Sequence, residues 1–320
     1  MSVLLTLFAA LLAVAIIGLV AWEVVHRRSP LTRGWVAPTM PERVTGGLGM
    51  RIAGQPHYRL RDDEPQTIVL LHGLGGTSGY FGGLYDGLAA EHRVVAIDLL
   101  GFGRSLDDQR LDHSLDDHVR ALDAALDSIG AGADRVCLAA HSMGSAVALA
   151  WAARHPGRAL DVVLWGPPTY PATMTDDEII GGSGVLTRLV WSDRPAATHL
   201  TDWISRHRWA AGWLMSAVAP AFPVSIARSA ALHTRAGYRG SMTSLVLGAP
   251  WPELFGDVAA PVTVFRGTDD PVGRRSALTA SARPGSLMDG RPSVRIVDVD
   301  GGGHHLPLTR PDLLFEHLGS

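Results

Sequence analysis

The sequence has no lysine, because all 28 of the basic residues among its 320 are arginine. Chemistry that depends on a lysine, as a general base or as a Schiff-base nucleophile, is therefore excluded. The single cysteine, Cys137, lies in the apolar run RVCLAA. One cysteine forms no internal disulfide, and we expect this thiol to be buried in the core.

Charge and composition exclude further classes of protein. A net charge of −3 leaves no basic surface of the kind that binds nucleic acid. The sequence has 14 histidines but neither a His-Glu-x-x-His motif nor a Cys/His cluster, so we predict no metal site. With 47% apolar and 18% charged residues the chain can bury a large core and is not typical of a disordered protein.

The N-terminal segment is long, apolar and uncharged. The run VLLTLFAALLAVAIIGLVAW (Val3–Trp22) carries no charged residue, and at about 1.5 Å per residue it would extend about 30 Å, the thickness of a bilayer core. We therefore predict a single transmembrane anchor over residues 3–25. A cleaved signal peptide is the alternative, but the run is longer than a typical signal core and no small-x-small site follows it. Arg27, Arg28 and Arg33 follow the span, which predicts a cytoplasmic location for the rest of the chain.

Short apolar runs recur along the rest of the chain. They are rich in β-branched residues and apolar on both faces, which is typical of strands in a parallel sheet covered on both sides. The runs are TIVLLHG (67–73), RVVAIDL (93–99), RVCLAAH (135–141), DVVLWG (161–166), PVTVFRG (261–267) and VRIVDVD (294–300). Between two of them, residues 114–129 begin with a serine cap and place apolar residues at helical spacing. This alternation predicts an α/β fold with a mostly parallel central sheet and helices on both faces.

No further run of this type occurs between DVVLWG and PVTVFRG. The interval is rich in tryptophan and helical in pattern, as in THLTDWISRHRWAAGWLMSAVA, and it is too long to be a loop. We predict a helical cap over residues 167–260, inserted into a core formed by residues 56–166 and 261–320. Residues 26–55 are predicted to be a linker with edge strands.

One strand-to-helix junction carries polar residues where packing alone needs none. In LAAHSMGSAVALA, Ser142 has a small residue two positions away on each side, Ala140 and Gly144. Small residues there permit a sharp turn that exposes the hydroxyl above the carboxyl edge of the sheet, and the helix N-terminus favours a developing oxyanion. Ser142 is therefore a candidate nucleophile, and a serine that only caps the helix is the alternative.

A nucleophilic serine needs a base, and the base needs an acid that orients it. In open α/β sheets, functional groups gather beyond the carboxyl ends of the strands. PVTVFRG is followed by Asp269 and Asp270, and VRIVDVD is followed by His304 and His305. Either aspartate and either histidine fit this pattern, in the chain order serine, acid, histidine.

Five motifs together resemble the α/β-hydrolase superfamily, in particular its serine esterase and lipase-like branch with a helical cap. They occur in that family's order and spacing: LLHGLGG (70–76), AIDLLGFGRS (96–105), AAHSMGSA (139–146), FRGTDDPV (265–272) and GGGHHLPLTRPD (301–312). The resemblance implies that Ser142 is the nucleophile, Asp270 the acid and His304 the base. It also implies an oxyanion hole formed by the backbone N–H groups of Leu74 and Met143.

The sequence departs from the usual pattern of that family at two positions. Ala140 stands where Gly-x-Ser-x-Gly has its first glycine, and Ser145 stands where a glycine often follows Gly144. Both residues are small, but they narrow the space that the turn leaves for its side chains.

Further residues are expected around the substrate, and they are His72, Gly73, His141, Trp191 and Trp213. We expect His72 to shape the oxyanion loop by hydrogen bonds, and the tryptophans of the cap favour an apolar acyl or alcohol group. With the predicted anchor, the resemblance implies a membrane-bound serine hydrolase that cleaves lipophilic carboxylic esters without metal or organic cofactor. Acyl transfer, thioester hydrolysis and carbon–carbon bond hydrolysis on the same residues are alternatives, and so is a non-catalytic ligand-binding or scaffold role.

Overall fold

A computed structural model describes residues 2–55, 67–106, 112–282, 287–288, 291–292 and 294–319, without the side chains of residues 2–11, 13, 287–288 and 291–292. The helices are α1 (Ser2–Arg28), α2 (Leu115–Ser128), α3 (Gly144–Arg154), α4 (Asp176–Gly182), α5 (Val185–Trp191), α6 (Pro195–Arg206), α7 (Arg208–Val218), α8 (Val224–Ser229), α9 (Arg235–Ser241), α10 (Trp251–Gly256), α11 (Arg275–Ala282), α12 (Leu306–Thr309) and α13 (Asp312–Leu318). The strands are β1 (Glu42–Thr45), β2 (Leu48–Ala53), β3 (Thr67–Leu71), β4 (Arg93–Ile97), β5 (Val136–His141), β6 (Ala159–Trp165), β7 (Val262–Gly267), β8 (Leu287–Met288), β9 (Arg291–Pro292) and β10 (Val294–Val299). A 3₁₀ helix covers Gly83–Ala90 and a π-helical segment covers Met242–Leu247.

The central sheet has eight strands in the order β1-β2-β4-β3-β5-β6-β7-β10. Every pairing from β4 to β10 in this order is parallel, whereas β2 pairs antiparallel with both β1 and β4. This confirms the predicted mostly parallel sheet. Because the carboxyl ends of parallel strands lie along one edge, the segments that follow β3, β5, β7 and β10 meet there.

Apolar side chains cover both faces of the sheet. In β5, Val136, Leu138 and Ala140 pack in the core on one face, while Cys137 and Ala139 pack in the core on the other. Successive side chains of a strand point to opposite faces, so a strand buried on both faces has to be apolar at every position. This is why the central strands are recognisable as continuous apolar runs.

Helix α2 shows how a predicted helix packs on this sheet. Its first turn is held by a capping box: Asp117 N–H donates to Ser114 Oγ, and Ser114 N–H donates to an oxygen of Asp117, each at 3.1 Å. Val119, Leu122 and Leu126 are fully buried on its inner face. The helix therefore agrees with the predicted range to within one residue at each end.

Helices α4 to α10 and the π-helical segment lie between β6 and β7, and we call residues 167–260 the cap. Phe102, in the loop after β4, pairs with His233 of the cap through an isolated β-bridge. Gly101 and Gly237 approach so closely that a Cβ on either would lie 2.6 Å from the Cα of the other. The cap is thus held against the carboxyl edge of the sheet, where the candidate site residues lie.

Helix α1 ends against the cap. The indole N–H of Trp22 donates to the carbonyl oxygen of Ser216 at 2.9 Å, and Nδ1 of His26 donates to that of Pro220 at 3.0 Å. The predicted transmembrane anchor over residues 3–25 falls within this helix. Within the part of the chain that the structure describes, no helix combines the length and the apolarity needed to cross a membrane, so the predicted span is not supported.

Candidate active site

Ser142 lies in a sharp turn between β5 and α3. Its φ is 52°, in the left-handed region that a non-glycine residue occupies when its surroundings fix it there. The N–H of Ser142 donates to the carbonyl oxygen of Trp165 at 2.8 Å. A Cβ on Gly144 would lie 2.7 Å from the carbonyl oxygen of His72 and 2.9 Å from that of Leu71. The turn therefore requires glycine at position 144 and fixes the direction of the serine hydroxyl.

Ser142, His304 and Asp270 form one hydrogen-bonded chain. Nε2 of His304 lies 3.0 Å from Oγ of Ser142, and Nδ1 of His304 donates to Oδ2 of Asp270 at 2.9 Å. The N–H of Val272 donates to the other carboxylate oxygen of Asp270 at 2.7 Å. A carboxylate that accepts the Nδ1 proton leaves Nε2 free to accept the proton of the serine hydroxyl.

The residue pattern did not choose between the two adjacent aspartates or between the two adjacent histidines, and the geometry distinguishes them. Asp270 is 6% exposed, whereas Asp269 is exposed to solvent. Nδ1 of His305 lies 2.9 Å from the hydroxyl of Tyr80, and burial lowers the pKa of His305 to about 3. The hydrogen-bonded chain thus runs through the second aspartate and the first histidine, as the resemblance implies.

Leu74 and Met143, whose backbone N–H groups are the predicted oxyanion hole, belong to segments that lie close to Ser142. A Cβ on Gly73 would lie 3.0 Å from Cβ of Ser142, so Leu74 begins directly beside the hydroxyl, and Met143 follows Ser142 in the chain. Among the hydrogen bonds of the described residues, none uses either of these N–H groups. Both are available to a developing oxyanion.

His72 is fully buried and fixes the loop that carries Leu74. Its Nδ1 donates to the carbonyl oxygen of Gly73 at 2.7 Å, and its Nε2 accepts from the N–H of Leu99 at 3.0 Å. Burial lowers the pKa of His72 and keeps the ring neutral. Because backbone groups engage both ring nitrogens, His72 positions the loop and has no nitrogen left for proton transfer.

His141 precedes the nucleophile and contacts the loop of the base. Its Nε2 donates to the carbonyl oxygen of His304 at 2.9 Å, and Tyr80 stacks on its ring with centroids 4.9 Å apart and an interplanar angle of 15°. Burial lowers the pKa of His141 well below its usual value. The motifs that indicate the triad do not include Tyr80, which the fold brings here from another loop.

The two departures from the family pattern have different consequences. Ala140 is fully buried in β5, and its methyl group is accommodated in the turn. Ser145 is also fully buried, and its hydroxyl has no hydrogen-bond partner among the described residues. An unsatisfied buried hydroxyl costs about 1–3 kcal/mol, so the second departure affects stability and leaves the hydrogen-bonded chain intact.

The two tryptophans predicted to line the pocket lie in helices α5 and α7 of the cap. Trp191 is half-buried and packs on the main core, with the guanidinium of Arg239 5.2 Å from its ring centre. Trp213 is 50% exposed, and the guanidinium of Arg228 lies 4.3 Å from its ring centre. That Trp191 and Trp213 line the pocket stays a prediction, because the helical pattern of the cap does not show which face of each helix points inward.

Other aromatic side chains of the cap reach the site. The ring of Phe222 lies 4.9 Å from that of His305, and an edge carbon of Tyr238 lies 3.7 Å from the position that a Cβ on Gly75 would take. Both residues come from the tryptophan-rich interval, but their sequence context gives no sign of this placement. They make the cap side of the site apolar.

Metal binding by the described residues and Cys137 as an alternative nucleophile are two further kinds of chemistry to consider. No group of three histidine, cysteine, aspartate or glutamate side chains is placed there to hold a metal ion. Cys137 is buried, and burial raises the pKa of its thiol well above its usual value. Since the thiolate is the reactive form of cysteine, Cys137 is a core residue.

Two curated relatives each align with less than half of the chain. Probable lysophospholipase BODYGUARD 4 of Arabidopsis thaliana is 28% identical over 143 residues, which cover 44% of this chain and 33% of that protein. The 1-acylglycerol-3-phosphate O-acyltransferase ABHD5 of Homo sapiens is 31% identical over 122 residues, which cover 35% of this chain and 34% of that protein. The chain thus spans about a third of the length of each relative.

Solved structures match nearly the whole chain. The esterase RhEst1 from Rhodococcus sp. ECU1013 has a TM-score of 0.60 at 21% identity and covers 88% of this chain and 99% of its own. A membrane phospholipase A, a bacterial virulence factor, has a TM-score of 0.58 at 20% identity and covers 100% of this chain and 97% of its own. At this identity the likeness shows the fold alone. The profile of the alpha/beta hydrolase family matches residues 68–317, so the chain belongs to that family.

Proposed function

We propose that the protein is a serine hydrolase that cleaves carboxylic esters through an acyl-enzyme on Ser142. The observation that carries this proposal is the hydrogen-bonded chain from Ser142 through His304 to Asp270. The unused N–H groups of Leu74 and Met143 beside the serine support it, because ester cleavage passes through an oxyanion. Membership of the alpha/beta hydrolase family supports a hydrolase or acyltransferase activity.

In the first half of the proposed reaction, Nε2 of His304 takes the proton of Ser142 as Oγ bonds to the ester carbonyl carbon. The carbonyl oxygen becomes an oxyanion, which accepts hydrogen bonds from the N–H groups of Leu74 and Met143. Loss of one such donor costs about 10²–10³ in kcat in comparable enzymes. The tetrahedral intermediate then breaks its bond to the alcohol oxygen, which leaves with the proton from His304. Asp270 holds the imidazole and stabilises its protonated form.

In the second half, water cleaves the acyl-enzyme. His304 takes a proton from the water as the water oxygen bonds to the acyl carbon, and the same two N–H groups hold the second oxyanion. Collapse breaks the bond to Oγ, and His304 returns the proton to Ser142. One ester and one water thus yield one acid and one alcohol, with the enzyme restored.

We further propose that the substrates are lipophilic esters. Phe222 and Tyr238 make the cap side of the site apolar, which favours an acyl chain or an apolar alcohol. The names of the two aligned relatives specify a lysophospholipase and an acyltransferase of 1-acylglycerol-3-phosphate, and both names refer to lipid substrates.

Acyl transfer is the second candidate, and the name of the ABHD5 relative favours it. It shares the first half of the reaction and differs in the group that attacks the acyl-enzyme, which is an alcohol instead of water. Product analysis with 1-acylglycerol-3-phosphate present separates the two reactions. A transferase forms a diacyl product, whereas a hydrolase releases free fatty acid and forms no diacyl product.

The test of the proposed function is turnover of chromogenic esters with acyl chains from acetyl to dodecanoyl. We expect kcat/KM to rise with chain length, because a longer chain buries more apolar surface under the cap. Ser142→Ala should lower kcat by about 10⁶-fold, because the reaction then lacks its nucleophile. The matched control is Ser145→Ala, which removes a buried hydroxyl three residues away that has no partner among the described residues.

A fluorophosphonate probe gives an independent readout of the nucleophile. It should label the wild type and Ser145→Ala and should leave Ser142→Ala unlabelled. A folded wild type that neither turns over any ester of the series nor takes the label would contradict the hydrolase proposal. Equal rates across the series would contradict the preference for lipophilic substrates alone.

A further inference from the structure

The outward half of helix α7 is entirely apolar. Successive residues of a helix are about 100° apart around its axis, and on this count the exposed residues of α7 all fall within one half of its circumference. They are Trp209, Trp213, Leu214, Ala217 and Val218. Trp209 is 75% exposed and Val218 is 64% exposed. A helix on a water-facing surface normally turns charged or polar residues outward. We call these five residues the α7 face.

The α7 face continues into helix α1. The indole of Trp22 is bonded to the carbonyl oxygen of Ser216 in α7, and Oγ of Ser29 donates to that of Ala221 at 2.5 Å. Before this junction, α1 exposes a second set of apolar side chains, and they are Leu12, Val14, Ile16, Ile17, Leu19 and Val20. Two helices from distant parts of the chain therefore present apolar side chains to the surroundings and meet at one place.

Within the segment that carries the α7 face, the charged residues are of one sign. From Trp203 to Arg228 the sequence contains three arginines, with Arg206 and Arg208 directly before the face, and no acidic residue. The guanidinium of Arg228 lies over the exposed ring of Trp213, 4.3 Å from its centre. Exposed tryptophan with flanking arginine is the composition that favours the boundary between lipid headgroups and acyl chains.

These observations distinguish two possible occupants of the face. A second copy of this chain on a two-fold axis would place the same surface against itself, so the arginines of one copy would meet those of the other. A bilayer surface with anionic headgroups accepts the tryptophans into its apolar boundary and pairs with the arginines at the same time. The charge around the face therefore favours lipid.

We propose that the α7 face docks on the surface of an anionic lipid bilayer. The docking places Trp209 and Trp213 at the level of the headgroups and requires no membrane span. Four residues after Val218, Phe222 contacts the ring of His305 beside the base. The docked face is thus joined by a short segment to the apolar side of the site, on the route by which a lipophilic molecule would leave the bilayer.

A fluorophore placed on the face tests the docking directly. The face offers Val218 and the far edge of the sheet offers Val44, which is 57% exposed in β1, so Val218→Cys and Val44→Cys form a matched pair. The native Cys137 is buried and does not compete for a thiol-reactive nitrobenzoxadiazole label. With vesicles of equal parts phosphatidylcholine and phosphatidylglycerol, label at 218 should become brighter and blue-shifted, and label at 44 should not change. Label at 218 that stays in water on vesicle-bound protein would overturn the proposal.

A second pair of variants tests the contribution of the tryptophans to binding. Trp209→Glu with Trp213→Glu should lower the affinity for these vesicles by at least about tenfold, because two carboxylates then meet anionic headgroups. Val44→Glu with Leu84→Glu adds the same charge at exposed apolar positions outside the face and should leave the affinity unchanged. Equal affinity of the two double variants would overturn the proposal, and so would a fluorescence change at 218 that follows protein concentration without vesicles. Fluorophosphonate labelling of Ser142 does not depend on vesicles, so failure of docking and failure of the proposed hydrolase remain distinguishable.

Discussion

The imidazole of His141 supports the proposed base, His304, and is not expected to take part in proton transfer. Its Nε2 donates to the carbonyl oxygen of His304, and the two rings lie 4.7 Å apart. Because burial keeps His141 neutral, it adds no positive charge beside the imidazolium that forms on His304 in the proposed reaction. Tyr80 stacks on one face of the His141 ring, and its hydroxyl forms a hydrogen bond with His305, the residue after His304. His141 is therefore a positioning residue.

We expect His141→Phe to lower kcat by about 10- to 100-fold, because the carbonyl of His304 loses a buried donor and the base loses its fixed direction. KM should change little, since the lost hydrogen bond joins two parts of the protein. Steady-state kinetics on a soluble short-chain ester and a thermal unfolding curve measure the two effects separately. Phenylalanine keeps a flat ring beneath Tyr80, so the stacking is retained.

The conservative variant His141→Gln separates positioning from packing. Glutamine keeps an N–H donor for the carbonyl of His304 and should recover a large part of kcat. Equal losses in the two variants, or a rise in KM at unchanged kcat, would show that His141 serves packing or substrate contact and not the direction of the base.

At the scale of the elements, what the sequence predicts depends on how much of an element is buried. The continuous apolar runs predict the central strands because both faces of those strands are covered. Strand β1 is exposed at three of its four positions, so it has no apolar pattern and was expected only as an unspecified edge strand. The same limit explains why the sequence does not show that Trp213 is half exposed. An apolar residue in a helix indicates burial only where the helix is amphipathic.

The candidate site likewise contains residues that the sequence predicts and residues that it does not. Ser142 was recognisable because its turn needs small residues at fixed positions. The adjacent acids Asp269 and Asp270 have the same local pattern, and the turn after β7 buries only the second. The contact between Tyr80 and His141 joins a loop to the end of strand β5, far away in the chain, and no spacing in the sequence encodes it.

The turn between β5 and α3 leaves no room for a side chain at position 144, and a substitution of Gly144 can test this. In Gly144→Ala the new Cβ would meet the carbonyl oxygens of His72 and Leu71 at 2.7 and 2.9 Å. Backbone atoms cannot yield as a flexible side chain does, so we expect the free energy of unfolding to fall by about 1–3 kcal/mol. The displaced turn also moves Ser142 away from the base, and kcat should fall by about 100-fold. Denaturant unfolding and ester turnover measure the two effects.

The control for this variant is Gly181→Ala. Gly181 lies in helix α4, and a Cβ there would meet no atom within 4 Å. Its activity should be unchanged, and its stability should stay the same or rise by up to about 1 kcal/mol, because alanine favours helix over glycine. Full activity of Gly144→Ala would show that the turn adapts and does not require glycine.

At the scale of the whole molecule, the protein buries histidines both at the site and away from it. Burial lowers the pKa of His118 and of His305 to about 3 and that of His233 to about 4. His72 and His141 are also buried, and burial lowers the pKa of each. Because these side chains come from the sheet loops, α2, the cap and the C-terminal segment, their protonation opposes folding across the molecule.

The sign of the pH dependence follows from these directions. In the unfolded chain each histidine has a pKa of about 6.5 and binds a proton as the pH falls below that value. In the folded protein His118 and His305 bind a proton only near pH 3. Between these values the unfolded state holds more protons, so the free energy of unfolding decreases as the pH falls from about 6.5 toward 3. Above pH 6.5 these histidines are neutral in both states, and their effect on the pH dependence disappears.

His118 is suited to measuring one share of this effect, because its Nε2 lies 3.2 Å from the hydroxyl of Ser241 and its ring is not part of the hydrogen-bonded chain of Ser142, His304 and Asp270. Each buried histidine contributes about 1.4 kcal/mol per pH unit to the slope of stability between its two pKa values. His118→Gln should therefore flatten the slope between pH 4.5 and 5.5 by about that amount, measured by denaturant unfolding at several pH values. His199→Gln, at an exposed position of α6, should leave the slope unchanged. An unaltered slope in His118→Gln would show that this histidine takes up its proton in the folded protein, and acid sensitivity would then have to come from other groups.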